Sequence, residues 1–177
     1  MLIYVLSMEI GTIRKIALAA MFIAIYVVLE MYVAWNVLST FRITISLMAV
    51  AIAGAILGWK YGAMVGLVGD LLMFFLKNNY APYMPQFTIS AVMIGVIFGL
   101  FVHRKENLLV RVIACQVFAT LVIHLFWDTW ALAVYYGNFL GWFAVRVWGK
   151  LATMVVLIVL EYLVLFAIRR RTNEIKV

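Results

Sequence analysis

Six apolar runs, each close to the length of a hydrocarbon layer, leave this chain few ways to satisfy its backbone. They cover about residues 16–33, 43–57, 61–76, 87–102, 109–134 and 142–168. No water is present at that depth to bond stray N–H and C=O groups. A helix pairs them all within one segment, and a span needs ~20 residues. Of the 177 residues, 68% are hydrophobic and 12% charged, whereas soluble domains are roughly half apolar and a quarter charged. The expected fold class is therefore an all-α membrane protein, a single bundle of six transmembrane helices, with residues 1–177 as one domain.

The polar connections set an orientation. An even number of spans puts both termini on one side, together with the turns near Lys60 and His103. That side carries Arg14, Lys15, Lys60, Arg104, Lys105, Arg111, Arg169, Arg170, Arg171 and Lys176, ten of the 14 Lys and Arg residues. The positive-inside rule then makes both termini cytoplasmic. It also explains the net charge of +7 without nucleic acid as a partner. The opening MLIYVLSMEIGTIRK lacks a basic start and a small-residue cleavage site, so it reads as a membrane-surface segment rather than a cleaved signal. Cys115, the one cysteine, lies in an apolar run and reads as packing.

Small residues mark close helix contacts. Ala20 and Ala24 form a small-xxx-small pair in the first span, as do Gly95 and Gly99 in the fourth. Gly54, Gly58, Gly62 and Gly66 recur every four residues, which puts them on one helix face against a neighbour or beside a ligand. Both prolines of the chain, Pro82 and Pro85, stiffen a loop expected from Lys77 to Gln86.

Ionisable groups inside spans are costly and point to function. Glu30, Asp70, His124, Asp128, Arg146, Lys150 and Glu161 lie in or near spans, and Arg42 at the outer end of the second. Arg146 and Lys150 are one turn apart and share a helix face. With Arg42 and Lys77 they run against the positive-inside bias, and a cationic cluster there suits an anionic substrate. The alternative is pairing inside the protein, Arg146 with Asp128 or Arg42 with Glu30. Asp70 either bonds a ligand or ties two helices. Trp127 and Trp130 flank Asp128 and either stack on a flat heterocycle or sit in the interface belt. His124 reads as a packing residue rather than a metal ligand, and Glu161 as a helix–helix contact. No metal-ligand spacing, catalytic triad, nucleophile elbow or Walker sequence appears, so neither an enzyme nor a cofactor is expected. A secondary carrier should show two related halves, and none is visible.

Three segments carry a family resemblance: RITISLMAVAIAGAILGWKYGAMVGLVGDLL, YAPYMPQFTISAVMIGVIFGLF and HLFWDTWALAVYYGNFLGWFAVRVWGK. They resemble the substrate-binding S components of energy-coupling factor (ECF) vitamin importers, most of all the folate-specific members. The resemblance implies six helices in a bacterial cytoplasmic membrane and an outward-facing vitamin pocket. It implies partners: a transmembrane scaffold and two cytoplasmic ATPases, met through the Ala20 and Ala24 face. The pocket expected from these readings comprises Arg42, Asp70, Tyr83, Gln86, Trp127, Asp128, Trp130, Arg146 and Lys150. Asp128 stands where folate members carry Asn, so an S component for another vitamin (pyridoxine, pantothenate or a cobamide) is the alternative. A ligand-free accessory membrane subunit is a third reading.

Overall fold

The computed structural model describes residues 11–33, 35–38, 41–43, 45–77, 83–103 and 105–174, with the side chains of 33, 35–38, 41–43, 77, 169 and 171–174 left aside. Helix α1 is Thr12–Val28, prolonged by a wide π turn at Leu29–Val33. Two short strands follow, β1 Trp35–Leu38 and β2 Phe41–Ile43, paired antiparallel with a bulge between Asn36 and Leu38. Then come α2 Leu47–Leu57, α3 Trp59–Lys77 and α4 Pro85–Phe101. Helix α5 is the continuous rod Leu108–Tyr136, and α6 is Phe139–Glu174.

Among the described residues the regular structure is thus helical apart from one hairpin. Helices α1, α3, α5 and α6 are each long and apolar enough to cross a membrane, while α2 and α4 are shorter apolar helices. The second span was expected to begin at Ile43, but Ile43 ends β2 and the helix starts only at Leu47. Asn36 pairs with Arg42 across the hairpin, so the backbone there is satisfied by a strand partner rather than by a helix. The expected Lys77–Gln86 loop is also shorter. Lys77 closes α3, and Pro85 and Gln86 belong to α4. Pro85 sits in the first turn, where its fixed φ suits a helix and no N–H is missed. The N-terminal segment to Ile10, the loop residues 78–82 with Pro82, Arg104, Lys176 and the Arg42 side chain lie outside the described residues.

Helix α2 is the axis of the bundle. From Ala49 to Ala55 every residue is buried, and α1, α3 and α4 pack around it. At 11 residues it is only ~16 Å long, too short to cross a bilayer alone. Outward faces are apolar instead of polar: Ile13, Tyr32, Phe75, Leu140 and Trp148 are all more than two-thirds exposed. Such a surface suits lipid, whose tails place no cost on it.

The glycine ladder does not run along one helix. Gly58, at φ +95°, turns the chain between α2 and α3, a conformation that costs a side-chain-bearing residue but not glycine. The other rungs nevertheless meet one neighbour. A Cβ on Gly62 would lie 2.6 Å from the Gly95 carbonyl oxygen, and one on Gly66 equally close to that of Ala91. Gly54 faces Gly95 in the same way. Backbones of α2, α3 and α4 therefore touch directly, with no side chain between them.

Candidate substrate-binding cavity

A cavity of about 350 Å³ opens among all six helices, within the usual range for a small-molecule site. It lies at the bundle end that carries the hairpin and the α3–α4 and α5–α6 connections. Its wall takes Tyr26 and Glu30 from α1 and its π turn, Ser46 and Leu47 from the start of α2, and Asp70 from α3. Phe87, Ser90 and Ala91 come from α4, His124, Asp128 and Leu132 from α5, and Arg146 and Lys150 from α6.

Two wall residues sit in irregular helix. Glu30 is in the π turn of α1, and His124 in a nine-residue π segment of α5, Ala119–Trp127. There the Asp128 N–H bonds the carbonyl of Ile123, five residues back. Wide turns of this kind concentrate at functional sites. No proline or glycine in the segment announces it.

Asp128 is the hub. It is 3% exposed and accepts hydrogen bonds from Ser90 Oγ at 2.5 Å and from His124 Nδ1 at 2.9 Å, with Arg146 Nη2 at 3.9 Å. Asp70 accepts from Thr88 Oγ1 at 2.5 Å and from Tyr26 OH at 3.4 Å. Glu30 accepts from Ser46 Oγ. Every carboxylate of the wall is thus already met by protein donors. The cations are less fully met. Arg146 is buried, and its Nη1 bonds no described residue. Lys150 lines the cavity without a hydrogen bond to any described residue. A buried donor left unmet costs about 1–3 kcal/mol, more when charged, so the cavity holds unused capacity for an acceptor.

The residues expected from sequence divide into two groups. Asp70, Asp128, Arg146 and Lys150 meet in the cavity wall. Tyr83, Gln86, Trp127 and Trp130 do not line it. Tyr83 shares a 2.6 Å hydrogen bond with Thr88, the donor to Asp70, and packs on Phe74. Gln86 reaches Tyr135 OH, and its backbone oxygen accepts from Trp127 Nε1 at 3.4 Å. Trp127 and Trp130 pack on each other, with ring centroids 5.6 Å apart, and Trp130 is 47% exposed. Those four residues lie outside the cavity wall. Arg146 answers both alternatives raised for it: it pairs with Asp128 and also faces the cavity. Sequence reasoning passed over Tyr26, Ser46 and Ser90 and the place of His124 in the cavity wall. Glu30 and His124 carried a signal as ionisable groups in apolar runs, whereas Ser46, Ser90 and Tyr26 carried none. No group of three or more metal-ligating side chains exists among the described residues.

The sequence model of the ECF transporter substrate-specific component family matches residues 14–168. The chain belongs to that family. It is accordingly a substrate-binding subunit of a vitamin transporter and not an enzyme. A solved structure of FolT bound with folic acid superposes on this ECF component with a TM-score of 0.77 at 26% identity, covering 86% of this chain and 92% of the other. No curated protein sequence matches it. The Ala20 and Ala24 positions lie on the outer side of α1, both exposed, while Ala19, Phe22 and Tyr26 face inward.

Proposed function

We propose that this ECF component captures a vitamin, folate foremost, from outside a bacterial cell and delivers it inward together with a transmembrane scaffold and two ATPases. In this reading both termini are cytoplasmic and the cavity end of the bundle faces outward. The observation that carries the reading is the unfilled donor capacity of Arg146 and Lys150 inside a cavity whose acids are already satisfied. An anionic acceptor such as a vitamin carboxylate meets that need, and Arg can take it with two parallel bonds. The likeness to the folate-bound structure supports folate as the first ligand to try.

The test is equilibrium binding of folic acid to the purified chain in detergent, with mass spectrometry of any small molecule that co-purifies. Saturable binding of folic acid by the chain alone is the expected result. Tight binding of pyridoxine, pantothenate or a cobamide instead would favour the second reading, a component for another vitamin. The three acids in the wall, Glu30, Asp70 and Asp128, speak for that reading. A chain that binds none of them fits an accessory subunit without a ligand.

The scaffold contact is assigned to the Ala20 and Ala24 face, where two backbones can approach closely. Ala20→Trp is expected to abolish co-purification with the scaffold while leaving ligand affinity within about threefold, because the side chain points away from the cavity. Normal assembly of that variant would remove this face from the interface.

A further inference from the structure

Most of the wall residues are accounted for by the anion-reading pair or by the bonds that hold the acids. For His124 that account covers Nδ1 alone. The residue is 6% exposed, it lines the cavity, and its Nδ1 is held 2.9 Å from Asp128. Asp128 accepts from Ser90 and lies beside the Arg146 guanidinium, so it is a carboxylate acceptor toward the ring. That arrangement puts the proton of a neutral imidazole on Nδ1. The opposite nitrogen, Nε2, then carries a lone pair, and no described residue donates to it.

The other polar groups of the wall are arranged differently. Ser90, Ser46 and Tyr26 spend their hydroxyl protons on Asp128, Glu30 and Asp70. Arg146 and Lys150 are donors only. The hydroxyl oxygens keep lone pairs, but the ring nitrogen of His124 is a neutral acceptor with no proton of its own, held between a buried carboxylate and the cavity.

We propose that His124 is a specificity-determining residue whose Nε2 accepts a hydrogen bond from an N–H or O–H group of the substrate. This rests on the vitamin-binding reading above and narrows it. The site reads two points at once, an anionic acceptor at Arg146 and Lys150 and a hydrogen-bond donor at His124. It therefore takes a substrate that carries both and rejects one whose donor is replaced by an alkyl group, since the lone pair would be left buried and unmet.

Two substitutions separate this role from bracing Asp128. In His124→Asn the amide occupies the place of Nδ1 and can still bond Asp128, but the Nε2 position is empty. In His124→Gln the amide reaches the place of Nε2 and the bond to Asp128 is lost. The probe is folic acid, with pantothenate and pyridoxine beside it, titrated onto the full purified chain. The ligand that wild type binds best is carried to the variants.

The expected result is a loss of about ten- to a hundredfold in affinity for His124→Asn, the range for a buried polar contact, and within about fivefold of wild type for His124→Gln. Thermal unfolding of both variants within a few degrees of wild type is the accompanying expectation. Wild-type affinity in His124→Asn overturns the proposal. So does a loss in His124→Gln that equals or exceeds that in His124→Asn, the pattern of a residue that only holds Asp128. Absence of binding by wild type overturns the vitamin-binding reading itself, and this proposal falls with it.

Discussion

Arg146→Ala is expected to weaken vitamin binding by at least ~30-fold while the protein still folds. Truncating one partner of a buried, hydrogen-bonded charge pair costs about 2–5 kcal/mol, and each ~1.4 kcal/mol is tenfold in affinity. The loss has two sources. The ligand's acceptor loses Nη1, which bonds no described residue, and Asp128 loses its nearest cation. Asp128 keeps Ser90 Oγ and His124 Nδ1, which is why the fold should survive. Arg146→Lys restores a charge but not the planar fork, so it should fall between the two. Trp148, on the same helix but 79% exposed, supplies the control: Trp148→Ala should bind as wild type does. Equilibrium titration of the purified variants checks all three. Affinity within threefold of wild type in Arg146→Ala would take Arg146 out of the site.

Gly62→Val carries the second large effect, on stability rather than affinity. The atoms a Cβ would meet at Gly62 are the Gly95 carbonyl oxygen at 2.6 Å and the Gly54 Cα at 2.7 Å. Both are backbone, so no side chain can turn aside. Relief requires α2, α3 and α4 to move apart, and these helices hold the start of α2, Asp70 and Ser90 in the cavity wall. Overpacking a close contact costs about 1–3 kcal/mol and more where nothing can yield. At the upper figure of about 3 kcal/mol, and roughly 2–4 °C per kcal/mol for a chain of this size, the apparent Tm in detergent should fall by about 6–12 °C. Met64→Ala, half-exposed on the same helix, should change it little. An unchanged Tm in Gly62→Val would mean that the three backbones do not touch.

The two predictions differ in how far the sequence alone reached. Arg146 and Lys150 stand out as cations on the side where cations are scarce, and their spacing of four residues puts them on one face. Asp70 and Asp128 stand out as acids in apolar runs. The cost of a charge in hydrocarbon is local, so these residues are visible without a fold. The glycines are visible too, but their partner is not. The four-residue period suggests one helix, whereas Gly58 breaks it at φ +95°, and the common neighbour is α4.

Bulk composition and run lengths determined a helical membrane bundle, because an apolar layer allows little else. The same runs could not announce the hairpin at Trp35–Leu38 and Phe41–Ile43, since apolar residues serve a strand as well as a helix when the pairing partner is nearby. Tertiary structure alone decided which polar groups are spent. From sequence the wall looks rich in acid. In the folded chain Ser90, His124, Thr88, Tyr26 and Ser46 meet those acids from other positions in the chain, and the charge that remains open toward the cavity is cationic. Hydrogen-bond satisfaction is a property of pairs brought together by packing, most of them 16 to 44 residues apart, and no single position in the sequence carries it.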